Sequence, residues 1–366
     1  MSYCRKAKIP PARLFIIAIC ALAVIGAAEA SKKFQEDPLL SRKIAAAQKM
    51  AAAMAAVKEE RLRSGAAINP AMDPNQTGFI GEEYNDLTTS LGSLTAKRTS
   101  TNPNFAGLLV ELLAEAALKP GDPVAVHFSG SFPALNTAVL SAISVLQLKP
   151  AIISSVGAST YGANDPDWTW LDMERVLRER EIFPYSSIAA SLGGLVDSLG
   201  GREGNGIVWG RKAIDRNQIP YLEEGGYRTL PRDAEQRMQI YSRALGGQPA
   251  VFINVGGSLI SMGERAQALS ISPGLSFRIP RSAYPDRGIL FRMNEMGVPV
   301  IHLLNVKKLA RRYGLPVDPL PLPAIPSGRV MEQKRYSIPV VLGGLFLLAL
   351  LLARIRPYQT SAPVLK

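Results

Sequence analysis

The sequence predicts an α/β fold: a parallel, Rossmann-like, doubly wound sheet in an extracytoplasmic domain, flanked by N- and C-terminal transmembrane helices. Three observations carry that expectation. Between residues 102 and 314 short apolar runs alternate with helical periods, the spacing of βαβ units. Two other apolar runs, near the two ends, are longer and bracketed by basic residues. More than half of the net charge of +12 lies beside those two runs, in residues 1–30 and 331–366.

The first run is Leu14–Ala28, preceded by Arg5, Lys6, Lys8 and Arg13. It reads as an N-terminal membrane anchor or signal segment over residues 1–30. Ala28-Glu29-Ala30 fits a small-x-small cleavage site. A lipid attachment at Cys20 is disfavoured by Ile19, where a small residue belongs. The second run, residues 338–353, has Lys334 and Arg335 before it and Arg354 and Arg356 after it. Both runs are a little short of the ~20 residues that span a hydrocarbon core, and flanking basic side chains are expected to make up the difference. The positive-inside rule then puts residues 31–334 outside and residues 354–366 in the cytoplasm, an inner-membrane protein with most of its chain extracytoplasmic.

Next comes an Ala-rich stretch within residues 31–66, Leu39–Arg63, made of strong helix formers behind Pro38 and expected to be a membrane-proximal helix or stalk. Residues 67–314 form the α/β domain. Helices are predicted over 104–118, 133–147, 171–180, 287–296 and 306–313, and strands over 124–128, 151–156, 250–255 and 298–303. Residues 187–249, rich in Gly, carry no clear period. Residues 315–337 begin with five prolines in twelve residues and read as an extended linker to the second run.

Composition excludes several classes. Hydrophobic residues make up 47% and charged residues 20%, too apolar for a disordered chain. The only histidines are His127 and His302, and the only cysteines are Cys4 and Cys20, so a Cys/His zinc site, a disulfide scaffold and an iron–sulfur cluster are ruled out. No cofactor or metal is expected. The remaining charge is dispersed without a Lys/Arg block, which argues against a nucleic-acid partner.

Ligands of open α/β sheets bind outside the carboxyl ends of the strands. Four such ends carry small hydrogen-bonding residues: Ser129, Gly130 and Ser131 with Asn136 behind them; Gly157, Asn164 and Asp165; Asn254, Gly256, Gly257 and Ser258; and His302 with Asn305. These are the candidate ligand-binding residues, and backbone N–H groups near Ser131 suit a carboxylate or phosphate. Each loop alone is also what any βα turn requires, and His127 and His302 also read as core histidines. Asp165, Asp167 and Asp172 read as a turn and helix cap more readily than as a cation site. No GxGxxG, GxxxxGK[ST], GxSxG or HExxH occurs, so no catalytic residue is assigned; whether the chain is an enzyme stays open, with the motif scan tilting against it.

Three blocks, Thr77–Thr101, Val124–Asn136 and Ile152–Glu174, with Asn254–Ser258, resemble the poly-γ-glutamate system protein family over residues 70–315. The resemblance implies an accessory membrane protein of bacterial poly-γ-glutamate (capsule) synthesis or export. Its implied partners are the poly-γ-glutamate synthetase ligase, that ligase's small membrane partner, the membrane, and the polymer or another polycarboxylate. Arg202, Arg211, Lys212, Arg278, Arg281, Arg287 and Arg292 offer charge to such a ligand. Alternatives are a hydrolase or transferase using Ser129 or Ser131 with His302, and a non-catalytic scaffold or solute-binding module.

Overall fold

Six short strands, each dominated by apolar or small residues, form the sheet at the centre of the fold. We label them β1 (Pro123–Ser129), β2 (Lys149–Ser155), β3 (Ala189–Ser191), β4 (Val251–Val255), β5 (Gly274–Ser276) and β6 (Val300–Leu303). Their order is β5-β6-β4-β1-β2-β3. The computed structural model describes residues 7–8, 11–31, 33–34, 37–194, 205–223, 229–263, 271–280, 288–331, 334–354 and 358–359. It separates into two units, Pro38–Met331 and the pair Met1–Asp37 with Glu332–Lys366.

Alternation along each strand decides which face is covered by what. Val124, Val126 and Phe128 of β1, with Val251, Ile253 and Val255 of β4, enter one core cluster. Ala125 and Phe252, between them, enter the other. On the first face lie α2 (Leu40–Arg63), α4 (Asn104–Glu115), α5 (Pro133–Leu146) and α11 (Val306–Tyr313), and on the second α8 (Leu230–Leu245) and α10 (Ile289–Glu295). Helices on both faces follow from right-handed crossovers: the chain winds β1, β2, β3 in one direction, then returns to build β4 and β6 in the other.

One expectation about the sheet is corrected. It is mixed, not purely parallel, because β5 pairs antiparallel with β6, Gly274 opposite His302. An antiparallel edge on an otherwise parallel sheet is common, and a three-residue edge strand carries too few side chains to announce itself by periodicity.

The Ala-rich segment is the 24-residue helix α2, and its small-residue face, Ala46, Ala47, Met50, Ala53 and Val57, is wholly buried. It packs on α4 and α5 within the α/β unit. Lys43, fully buried, pairs with Glu111 of α4 and donates to Val330 O at 3.0 Å. The Pro-rich segment is tied down as well. Asn104 Nδ2 donates to Ala324 O at 3.1 Å, and Asn75 Nδ2 to Pro319 O at 2.8 Å.

The terminal unit holds the second correction. Its helices are α1 (Pro11–Ala30) and α12 (Ile338–Ala353), of 20 and 16 residues. At Gly344 an added Cβ would lie 2.4 Å from Val24 Cγ1, so the glycine permits the close approach of the pair. Arg13 and Glu29 confine the uncharged part of α1 to Leu14–Ala28, about 22 Å long, and α12 is about 24 Å long, against a core of ~30 Å. Among the described residues no helix is long and apolar enough to cross a membrane. The flanking transmembrane helices, and the inner-membrane location with an extracytoplasmic bulk that rested on them, are therefore not supported.

Candidate functional site

Strand order reverses between β1 and β4, the topological switch point where α/β sheets open a crevice. A cavity of about 640 Å³ lies there, lined by residues of the loops after β1, β2, β4 and β6. Of the residues singled out from the sequence it brings together Ser129, Ser131, Gly157, Gly257, Ser258, His302 and Asn305. The remaining candidates serve the walls. Gly130 allows a close crossing of the β1 and β2 loops, since a Cβ there would lie 2.4 Å from Val156 O. Gly256, at φ +85°, would carry a Cβ 2.9 Å from Ser129 Cβ. Asn136 Nδ2 donates to Ser129 O at 3.1 Å. Asn164 donates to Glu82 O and Thr88 Oγ1 at 2.9 and 3.0 Å, clamping the segment before the cavity. Asp165 accepts from the Asp167 N–H in a turn.

The turn after β1 consumes the amides expected to hold an anion. Ser131 N–H donates to Ser129 Oγ at 3.1 Å, Phe132 N–H to Ser129 O at 3.4 Å, and Pro133 has no N–H. The anion-directed groups are side chains instead. Asp172 is likewise spent: it closes a capping box with Thr169 and binds Arg216 at 2.5 and 2.8 Å. Burial opposes its ionisation, but Arg216, Thr169 and Asn217 hold it below the usual carboxylate range. No cluster of His, Cys, Asp and Glu that could bind a metal occurs among the described residues.

On the second face, three polar side chains stand in one row across adjacent strands. His127 of β1 and His302 of β6 are both in register with Asn254 of β4. All three are buried. Asn254 Nδ2 donates to Gly256 O at 2.9 Å and to His302 Nδ1 at 3.0 Å. With Nδ1 accepting, the proton of a neutral His302 sits on Nε2, an atom that is buried and has no partner among the described residues. Burial lowers the His302 pKa to about 4, so the ring is a neutral N–H donor over the physiological range. His127 Nε2 lies 2.9 Å from Ser258 Oγ.

Sequence reasoning missed the cation in the wall. Lys97, on α3 (Leu94–Ser100), is buried, with its Nζ donating to Ser131 O and 2.7 Å from Ser159 Oγ. The ammonium stands 4.0 Å from the centre of the Phe132 ring. Burial alone pulls its pKa down to about 7. Nothing in LTAKRTS marks this lysine, because the helix period cannot tell a buried amine from a solvated one. Ser159, Thr89–Ser93, Lys307 and Lys308 line the cavity too and were also missed. Among the described residues no Asp or Glu lines the cavity, and the lining includes seven serines and two exposed or half-exposed lysines. Of the seven basic residues offered for charge, Arg211, Lys212, Arg278 and Arg292 do not line the cavity. Arg202, Arg281 and Arg287 lie outside the described residues. Arg211 stacks on Tyr221 at 3.4 Å and Arg292 pairs with Glu235 at 3.8 Å.

Comparison of the chain with family models, with curated proteins and with solved structures finds no match.

Proposed function

We propose that the switch-point cavity binds a carboxylate-bearing chain, and that the protein serves poly-γ-glutamate synthesis or export as an accessory beside the synthetase ligase and its small membrane partner. The polymer and its partners come from the family resemblance. The ligand chemistry comes from one observation: a cavity with no Asp or Glu among its described lining residues combines Lys307 and Lys308 with buried His302, whose Nε2–H has no partner among the described residues. A carboxylate seated there meets cations at the rim and a neutral donor inside. Each charge-assisted hydrogen bond contributes about 1.5–3 kcal/mol before desolvation. Apolar lining from Leu91, Phe132, Leu259 and Met262 suits the methylene pairs between successive carboxylates of a γ-linked chain.

The test is calorimetric titration of the full chain with γ-linked decaglutamate at low and high salt. Binding is expected, weakening as salt rises because the rim charges are screened. Reversing the rim with Lys307→Glu and Lys308→Glu together should lower affinity at least tenfold. Equal affinity for the neutral γ-linked decamer of isoglutamine, whose α-carboxylates are amides, would overturn the reading.

A further inference from the structure

The contact between Lys97 and Ser159 has the form of a base and a nucleophile. Ser159 Oγ is 2.7 Å from Lys97 Nζ, within the 2.6–3.2 Å reach that proton transfer requires. The serine lines the cavity, whereas the lysine lies wholly behind it. Two devices hold the pair in place. Ser159 N–H donates to Ser131 Oγ at 3.0 Å, fixing the backbone that carries the hydroxyl. Gly92 leaves room for it, since a Cβ there would lie 2.9 Å from Ser159 Oγ and 2.8 Å from Thr160 O. Among the described residues no carboxylate forms an ion pair with Lys97; its contacts are Ser131 O, Ser159 Oγ and the Phe132 ring.

We infer that Ser159 and Lys97 form a nucleophile–base dyad for acyl transfer, acting on an amide or ester carbonyl of the ligand held in the switch-point cavity. The inference rests on the carboxylate-chain reading for the identity of that ligand, but not for the chemistry of the dyad. Serine oxygen attacks the carbonyl carbon and its proton passes to Lys97 Nζ. The tetrahedral adduct then collapses, the C–N bond breaks, and Lys97 returns the proton to the leaving amine. Water attacks the resulting serine ester, gives a proton to Lys97, and the C–O bond to Ser159 breaks with that proton returned. The net change is amide plus water to carboxylate plus ammonium, with no other reactant. His302, whose Nε2–H has no partner among the described residues, lines the same cavity. The amine must be neutral to accept a proton, and burial, which brings Lys97 to about 7, supplies that form near neutral pH. Ser159 stands in a two-residue strand, Ala158–Ser159, paired with Thr88–Ser90, and not in a strand-to-helix elbow, so no GxSxG-type motif announces it.

The experiment treats the full chain with a fluorophosphonate probe and locates the adduct by peptide mass, from pH 5.5 to 9.5. Labelling is expected at Ser159, with a rate rising through a midpoint near pH 7. Lys97→Met should slow it by about 10²–10⁴-fold, the usual contribution of a positioned base. Lys97→Arg, which keeps a cation but cannot act as a base, should be equally slow; its circular dichroism shows whether the fold is intact. Ser159→Ala should remove the adduct. If folded wild-type protein is not labelled at Ser159 at pH 9, or Lys97→Met is labelled as fast, the dyad is wrong, even where decaglutamate still binds. If Ser159 is labelled as described but decaglutamate neither binds nor is cleaved, the dyad stands and the ligand reading fails instead.

Discussion

Two buried polar clusters, both near carboxyl ends of the sheet strands, differ in how completely they are bonded. Around α6 (Trp170–Glu179), Asp172 accepts from Arg216, Asn217 and the Thr169 N–H and hydroxyl, at 2.5–2.9 Å. In the same helix Glu174 accepts from Ser187 N–H at 2.8 Å and from Ser187 Oγ at 3.0 Å, and that hydroxyl also meets Ser154 Oγ at 2.7 Å. Every carboxylate oxygen there has a protein donor. At the switch point, among the described residues, Lys97 bonds Ser131 O and Ser159 Oγ but has no ion-pair partner, and His302 Nε2 has no partner at all. Buried polar atoms cost stability when they are left unsatisfied, so unpartnered groups beside a cavity point to a ligand, and carboxylates with every oxygen bonded point to architecture.

If that contrast is sound, substitutions on the α6 side should damage stability and those at the switch point should damage binding. The largest effect is expected for Asp172→Ala. It strands Arg216, removes the helix cap, and should cost about 3 kcal/mol, the low end for a broken buried pair because Arg216 retains access to water. Urea unfolding measures the loss, and decaglutamate affinity per folded molecule should be unchanged. A variant as stable as wild type would remove the architectural half of the contrast.

Gly92→Ala comes next and tests the cavity side. Its Cβ needs space now held by Thr160 O and Ser159 Oγ, at 2.8 and 2.9 Å, and overpacking of this kind costs about 1–3 kcal/mol. Unlike Asp172→Ala, it should also slow fluorophosphonate labelling, by displacing the hydroxyl from Lys97. Unaltered labelling would show that Gly92 guards only the chain crossing.

Four of the six strands and most of the helices were legible in the sequence, because apolar runs of period two or 3.6 reflect burial on one or both faces; the three-residue strands β3 and β5 and the helices α3 and α8 were not. Residues read from the strand ends come together in space: Ser129, Ser131, Gly257, Ser258 and His302 line one cavity. The chemistry was less legible. Lys97 and Ser159 are 62 residues apart and meet only through the fold, and a buried lysine has the same helix period as an exposed one. Asn164 is spent on holding a loop, and Asp172 on the helix cap that the sequence already favoured for it.

Titration separates the clusters by sign. Burial raises Glu174 to about 7, so the native state holds a proton that the unfolded chain releases between pH 4.5 and 7, and stability should fall over that window. Lys97 runs the other way. Its native value is near 7 against 10.5 unfolded, the unfolded chain binds the extra proton, and stability should rise from pH 7 to 10.5. Glu174→Gln should flatten the first slope and Lys97→Met the second, as read from urea midpoints across pH. Lys97→Met should sit within about 1 kcal/mol of wild type at pH 7, since an apolar chain replaces an amine that was expensive to bury. A wild-type profile flat from pH 7 to 10.5 would mean that Lys97 keeps its ordinary affinity for protons.

The smallest effect concerns His302, and it is the sharpest on tautomer and donor. Asn254 Nδ2 already gives one hydrogen to Gly256 O, so its second points to His302 Nδ1, which must accept. The ring is therefore the Nε2–H form, and burial keeps it neutral down to a pKa of about 4. An ordinary histidine would charge near 6.5, so ligand affinity should show no step there. Between pH 4 and 6.5 only the unfolded imidazole takes a proton, and stability should rise with pH in that window. Nitrogen NMR of the full chain should show one protonated and one unprotonated ring nitrogen for His302, unchanged from pH 8 to 5. The protonated signal, Nε2, should move when decaglutamate is added, because that hydrogen has no partner until a carboxylate or carbonyl oxygen arrives. Asn254→Asp offers the converse: a carboxylate beside Nδ1 would draw a proton onto that nitrogen, raise the ring pKa and make binding depend on pH. If the native ring instead titrates near 6.5, or Nε2 is the unprotonated atom, His302 is not the donor and Lys307 and Lys308 must hold the ligand alone.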